Sequence, residues 1–285
     1  AAGARWVGFK LAAGRDAERT RAFDLPGALL VVLSLGLLSY GLIALGRGDG
    51  AAGGLAVGLS LPAMALFVRQ EARSPTPMLP LSLFRNAAFA GVNLVTALYY
   101  AALSGALFLL PYVLIEVHGY SALAAGAAFL PLSILMGGGS RWAGGLMART
   151  GARLPLVLGP ALTAAGYVLL GLSGEEPSYW RGFLPGLLAV ALGVTLTVAP
   201  LTTVVFDSSP AVASGTASGI NNAVDVGGGL VAVAALGLAF GAAGAGALAP
   251  EALAGGYRVV MFAAAALAGL SAGVAALTIR APRKA

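Results

Sequence analysis

The sequence predicts an all-α fold, a polytopic bundle of about eight transmembrane helices, and three observations carry that expectation. Hydrophobic residues make up 59% of the 285 and charged residues only 10%, whereas a soluble domain carries about 25% charged residues to cover its surface with groups that water solvates. The apolar residues gather into eight stretches near the ~20 residues that a helix needs to cross a ~30 Å hydrocarbon core. Glycine occurs 42 times. It weakens helices in water but lets membrane helices approach closely.

The eight stretches run in order from Leu25 to Leu45, Ala51 to Val68, Ala87 to Ile115 and Ser121 to Ser140, then Leu154 to Leu172, Gly182 to Phe206, Ser214 to Phe240 and Val259 to Ile279. Asp24-Leu25-Pro26 opens the first with an acidic cap and an early proline, both helix-start signals. Ser74-Pro75-Thr76-Pro77 breaks the chain between the second and third. Pro111, Pro131, Pro160, Pro185 and Pro200 lie within apolar runs, where neighbouring helices satisfy the freed carbonyls and the expected result is a kink. Gly54-xxx-Gly58, Gly215-xxx-Gly219 and Gly237-xxx-Gly241 place small residues on one helix face, a pattern suited to close packing. Trp142 and Trp180 fall near predicted interfaces, as aromatic anchors do.

Orientation follows from the basic residues. Alternating the eight spans puts Arg5, Lys10, Arg15, Arg19, Arg21, Arg69, Arg73, Arg85, Arg141, Arg149, Arg153, Arg280, Arg283 and Lys284 on one side, and only Arg47, Arg181 and Arg258 on the other. The positive-inside rule then predicts both ends of the chain in the cytoplasm of a plasma (inner) membrane, with Glu116 and Glu176 facing outward.

Several chemistries are excluded or disfavoured. The net charge of +6 is dispersed between apolar runs and builds no nucleic-acid surface. With no cysteine and one histidine, His118, no thiolate or histidine metal cluster is expected, and no cofactor is implied. The only lysines, Lys10 and Lys284, follow Phe9 and Arg283, so there is no phosphate loop ending in Gly-Lys. Gly171-Leu172-Ser173-Gly174 and Gly269-Leu270-Ser271-Ala272-Gly273 resemble serine-hydrolase strings. The second lies within an apolar helix, where a nucleophile elbow cannot form, and the first has its only histidine upstream. The protein is therefore not expected to be an enzyme.

Four strings in chain order carry a family resemblance: Phe23-Asp24-Leu25-Pro26-Gly27, then Leu83-Phe84-Arg85-Asn86 with Phe89-Ala90-Gly91 and Asn93-Leu94. Leu196-Thr197-Val198-Ala199-Pro200-Leu201-Thr202-Thr203 follows, and Ser214-Gly215-Thr216-Ala217-Ser218-Gly219-Ile220-Asn221-Asn222-Ala223-Val224 completes the set. Together they resemble the C-terminal portion of the major facilitator superfamily, within its fourteen-helix drug:proton antiporters (EmrB/QacA-like). The resemblance implies three regions. Residues 1–20 would be a cytoplasmic linker after an N-terminal half that this chain lacks, 21–80 two inserted transmembrane helices, and 81–285 the six-helix C-terminal transporter domain.

The superfamily's cytoplasmic signature, Gly-Arg-Leu-x-Asp-Arg-x-Gly-x-Arg, is altered here. Gly144, Arg149, Gly151 and Arg153 match a latch loop, whereas Gly145 replaces the first Arg and Ala148 the Asp. Arg141, one helical turn before Gly145, is a candidate stand-in for the lost Arg. A second departure is Asp225, which brings a negative charge where a positive or polar residue is common in relatives.

The candidate proton- and substrate-binding residues are Asp225, Asn221, Asn222 and Asn93. An intramembrane carboxylate is costly and commonly functional, and Asp225 is the only charge inside the eight stretches. It reads either as a structural acid paired across helices or as an ion- or proton-binding group. Asn221 and Asn222 either line a translocation path or hydrogen-bond neighbouring helices. Asn93, Tyr99 and Tyr100 fit packing better than a cavity wall, and Glu116 and His118 fit a solvated outer loop better than a pH-sensitive gate. The expected function is secondary active transport, a proton-coupled efflux of small amphipathic or cationic compounds of the kind that confers multidrug resistance. Its partners would be the lipid bilayer, protons, a small-molecule substrate and the other half-transporter. The competing expectation is a non-transporting membrane remnant or packing subunit.

Overall fold

The computed structural model describes residues 24–173, 178–210, 213–240 and 250–279. Glu176 lies outside them. Among the described residues every regular element is helical. The helices are α1 (Leu25–Gly46), α2 (Gly50–Arg73), α3 (Ala87–Glu116), α4 (Ala122–Ala127), α5 (Leu130–Thr150), α6 (Arg153–Leu172), α7 (Leu184–Asp207), α8 (Ser214–Ala239) and α9 (Pro250–Thr278). A 3₁₀ turn, Leu81–Arg85, precedes α3, and a π-helical turn, Tyr179–Phe183, leads into α7. The short α4 and α5 together make one crossing, so the eight expected spans are present, each long and apolar enough to cross a bilayer.

The boundaries follow the local chemistry. Asp24 Oδ1 accepts from the Gly27 N–H at 2.9 Å, with Pro26 in the first turn of α1, so a cap satisfies a donor left open at the helix start. Asp49 caps α2 in the same way, accepting from the Ala52 N–H at 3.1 Å. α2 stops at Ser74, before the Pro75 and Pro77 break. The buried Glu71 then accepts the Leu79 N–H at 2.8 Å and ties the following chain back to α2. Pro111, Pro160 and Pro200 sit inside helices, whereas Pro131 and Pro185 occupy the first turns of α5 and α7. The latter two mark breaks within crossings, where a missing N–H costs nothing because that donor has no intrahelical partner.

α1 and α2 form an antiparallel pair, and α1 also packs along α8. In the remainder, α3 packs on α8 and α9, α6 on α7 and α9, and α7 on α5. α8 and α9 touch only sparsely. Two apolar clusters fill the interior. One joins Tyr99, Leu110, Tyr167, Leu187 and Met261, and the other joins Phe89, Val92, Leu156, Val205 and Ile279. The spans containing α5 and α8 bury least of themselves, and the span containing α7 buries most. Trp142 and Trp180 are exposed. At one end of the bundle Asn86 Nδ2 donates to the Ser208 carbonyl at 2.8 Å, and this end also carries Arg69, Arg73, Arg85, Arg149 and Arg153.

The glycine motifs correct one expectation. A Cβ added at Gly54, Gly58, Gly215 or Gly219 would meet nothing within 4 Å, so these pairs make no close helix contact among the described residues, and Gly241 lies outside them. Gly237 does pack closely, but against Gly46 of α1. The tight crossings use glycines that no motif singles out: Gly41 with Gly53, Gly166 with Gly186, and Gly159 with Gly193, where an added Cβ would lie 2.5–3.0 Å from the facing carbonyl oxygen. Spacing within one helix identifies a smooth face, but the close approach depends on a second helix presenting its own glycine at the crossing point.

Candidate functional site in the seam between α3 and α8

A polar seam runs along the contact of α3 with α8. Asn221 of α8 donates through Nδ2 to Thr96 Oγ1 at 2.7 Å and to Asn93 Oδ1 at 3.3 Å, both on α3. Asn93 Nδ2 in turn donates to the Phe89 carbonyl at 2.8 Å, and Thr96 Oγ1 to the Val92 carbonyl at 2.9 Å. Asn221, Asn93 and Thr96 are 7%, 3% and 0% exposed. Their donors and acceptors match one another, which is the condition for burying amides in an apolar medium.

One helical turn further on, Asp225 is half-buried and lies within electrostatic reach of Tyr100 on α3. Among the described residues no group hydrogen-bonds its carboxylate and no cation stands at ion-pair distance. Beyond it, Gly228 and Gly229 bring the helices together: an added Cβ would lie 3.0 Å from the Ala97 carbonyl and 2.6 Å from Ser104 Oγ. Gly227 instead faces open space. Asn222 is exposed, so the structure joins Asn93 with Asn221 and leaves Asn222 and Asp225 outside that cluster.

The seam connects inward. The Tyr100 ring meets Tyr99 edge-on at 5.9 Å. The buried Tyr99 hydroxyl hydrogen-bonds Thr163 Oγ1 of α6 at 2.8 Å, and Thr163 donates to the Gly159 carbonyl. Thr96 and Thr163 were not among the expected site residues. Thr96 carried a signal, since it follows Asn93 by three residues and therefore shares its face. Thr163 carried none, because its partner is 64 residues away.

The altered latch loop forms the turn from α5 to α6. Gly144 lies on α5, and Arg149 is exposed in its last turn. Gly151 has φ +76°, a conformation that favours glycine, and its N–H closes the helix on the Met147 carbonyl at 2.8 Å. Arg153 Nη2 donates to the Ala276 carbonyl at 2.8 Å, a cation near the C-terminal end of α9, where the helix dipole favours it. Arg141 is exposed on the same continuous helix as Gly145.

Other candidates are placed as follows. Glu116 is exposed, while His118 is half-buried with its ring edge-on to Phe183 at 5.0 Å. Ser271 is buried within α9 and donates to the Val95 carbonyl at 3.3 Å, so the Gly-x-Ser-x-Gly string forms no elbow. Among the described residues no group of three or more metal-ligating side chains gathers.

Eight apolar crossings held together by close glycine contacts and a buried polar seam define a polytopic α-helical membrane protein. Residues 22–233 match the model of the Major Facilitator Superfamily. The chain is 35% identical over 222 residues to the multidrug resistance protein Stp of Mycobacterium tuberculosis, covering 77% of this chain and 41% of that protein. It is 33% identical over 220 residues to the tetracenomycin C resistance and export protein of Streptomyces glaucescens (75% and 40%), and 35% identical over 214 residues to the lincomycin resistance protein of Streptomyces lincolnensis (74% and 44%). The chain belongs to the major facilitator superfamily, and the resemblance to its drug-export members is borne out. It spans about two-fifths of the length of these relatives.

Proposed function

We propose that this chain supplies the C-terminal portion of a proton-coupled exporter of small amphipathic or cationic compounds. In this reading α1 and α2 are the two inserted helices (within residues 21–80), residues 81–285 are the six-helix half, and residues 1–20 link to a further six-helix half. Alternating access arises when the two halves rock about a midplane site. The relatives' names, resistance and export proteins, favour transport over a non-transporting remnant.

The observation that carries the reading is Asp225. It stands 11 residues into α8, about 16 Å along the helix at 1.5 Å per residue, and so near the middle of a ~30 Å core. Insertion scales put the cost of an Asp there at about 2.5–3.5 kcal/mol. No described cation or hydrogen-bond donor offsets it. A carboxylate in that position is available to bind the coupling proton or a cationic substrate, while Asn93, Thr96 and Asn221 hold the wall that presents it. Gly144, Arg149, Gly151 and Arg153 serve as the cytoplasmic latch, with Arg153 bearing on the Ala276 carbonyl of α9.

The test is transport by the complete protein, reconstituted in proteoliposomes under an imposed pH gradient. Asp225→Asn keeps the shape and removes the charge, so pH-driven flux is expected to fall at least tenfold with expression unchanged. Unaltered pH dependence in that variant would make the residue structural. Orientation is tested separately with single-cysteine variants and an impermeant reagent on intact cells. Position 116 should label and position 149 should not, and the reverse would invert the proposed topology.

A further inference from the structure

Two more carboxylates stand without a counter-charge among the described residues. At the open end of the α1–α2 pair, Asp24 and Glu71 are 5% and 3% exposed. A Cβ added at Gly27 would lie 2.7 Å from Glu71 Oε1 and 3.1 Å from Asp24 Cγ, so both acids come within 3.1 Å of one point. Glycine at position 27 leaves the room for that approach. One oxygen of each acid is partnered. Asp24 Oδ1 accepts from the Gly27 N–H at 2.9 Å and faces the Gln70 amide at 3.5 Å, and Glu71 Oε2 accepts the Leu79 N–H at 2.8 Å. The other two oxygens, Asp24 Oδ2 and Glu71 Oε1, are buried with no hydrogen-bond partner.

The described surroundings bring no cation to them. α1 holds no charged residue, and its one titratable group, Tyr40, lies toward the opposite end. Arg69 and Arg73 of α2 are exposed, the connection from Ser74 to Phe84 has no titratable side chain, and Arg85 after it is exposed. α8, which packs along α1, carries only Asp225, and that residue turns to Tyr100 on α3. Two carboxylates this close and this buried do not both stay ionised, since each meets the other's charge with no water to screen it. One proton resolves the conflict. It cancels a charge and turns one of the two orphan acceptors into a donor for the other. A metal ion fits less well. Mg²⁺ and Ca²⁺ take about six or more ligands, whereas the pair offers two free oxygens and no third metal-ligating side chain gathers there among the described residues.

We propose that Asp24 and Glu71 form a proton-binding pair, with one proton held between Glu71 Oε1 and the Asp24 carboxylate at neutral pH. Asp24 is the accepting partner, because the Gly27 N–H, the Gln70 amide and the Ser74 hydroxyl all converge on it. The pair fastens the start of α1 to the end of α2 and, through the Leu79 N–H, to the chain that leads into α3. Losing the proton would set two buried like charges against each other and loosen that junction, so the fastening is sensitive to pH. The site is separate from Asp225 and does not rest on the transport reading.

The test is the infrared spectrum and the thermal unfolding midpoint of the purified chain in detergent, taken from pH 6 to pH 9. The carbonyl stretch of a protonated carboxyl group should be present at neutral pH, well above the ordinary carboxylate pKa of about 4. Glu71→Gln should remove that signal, and Asp225→Asn should leave the Glu71-dependent part in place. The folded pair holds a proton that the unfolded chain does not hold at neutral pH, so its contribution to stability is lost as pH rises through the pair's titration. The parent midpoint should therefore fall by about 3 °C or more across this range. Glu71→Gln keeps the shape and offers Asp24 an amide donor at every pH. It should melt no lower than the parent at pH 6 and above it at pH 9. A carboxyl signal absent from the parent at neutral pH, or present and untouched by Glu71→Gln, would overturn the proposal. So would a Glu71→Gln chain that melts below the parent throughout, because that is the behaviour of a charged Glu71. Stabilisation by magnesium or calcium chloride that Glu71→Gln abolishes would assign the pair to a metal ion and not to a proton.

Discussion

On α8, Asn221 is 7% exposed and its amide nitrogen donates to Thr96 and Asn93. Asp225, a single turn on, is half-buried beside Tyr100 and receives no hydrogen bond from the described residues. Both are polar residues inside an apolar span, and both share a face by spacing. The difference lies in what α3 offers each of them. At the level of Asn221, α3 presents an acceptor oxygen on Asn93 and another on Thr96, whose own protons are already committed to backbone carbonyls. At the level of Asp225 it presents a tyrosine ring, and at the next turn a serine packed against Gly229. A neutral amide given complementary partners becomes part of the packing. A carboxylate without them must be neutralised by something that comes and goes, or face water.

The largest expected effect tests the second half of that comparison. Asp225→Asn should remove pH-driven transport by the complete protein without lowering its thermal stability, because it deletes a charge that no described group offsets. A large stability loss would place Asp225 with Asn221 as a packing group. Asn221→Ala should show the opposite signature. It strips buried Asn93 and Thr96 of a shared donor, at a cost of roughly 1–3 kcal/mol, measurable as a lower unfolding midpoint in detergent. Asn222→Ala, at an exposed position, should be neutral in the same assay.

A fourth variant asks whether the polar path reaches α6. Gly193→Ala would set a Cβ against Thr163 Oγ1 and 2.5 Å from the Gly159 carbonyl, pressing on the residue that holds Tyr99. Overpacking of this kind costs about 1–3 kcal/mol. Gly54→Ala, where a Cβ meets nothing, should be neutral or stabilising by up to ~1 kcal/mol through helix propensity. Equal behaviour of the two variants would break the assignment of the close crossings.

The smallest effect concerns Asp24, whose Oδ1 has the donors that Asp225 lacks while its Oδ2 is buried without a hydrogen-bond partner. At the start of α1, the Ser74 hydroxyl and then the Gly27 N–H hold the Asp24 carboxyl below its usual range, with Gln70 adding to them. A lowered folded value means that Asp24 stabilises the fold above the ordinary carboxylate pKa of about 3.9, and that this contribution disappears as pH falls through the lowered value. Asp24→Asn should therefore melt below the parent chain at neutral pH and converge with it in acid. A gap that persists in acid would mean that the charge is not what matters there.

Fold class, the eight crossings and most of their ends are legible in the amino-acid order alone. Span length, charge depletion, an Asp-Leu-Pro start and a Pro-rich break are local properties, each tied to a local physical requirement: hydrocarbon thickness, desolvation of charge, and capping of open N–H groups. That order also singles out Asp225, because a lone charge in an apolar run is conspicuous without any neighbour. The packing of the helices is what lets Asn93 and Asn221, 128 residues apart, satisfy one another while Asn222 faces outward. It also decided that Gly41, Gly53, Gly159 and Gly193 make the tight crossings while Gly54 and Gly58 do not. Hydrogen bonding and close packing are properties of pairs, and which pairs meet is set by how one helix is rotated against the next. A single helix's spacing constrains that rotation only weakly when nearly every face of it is apolar.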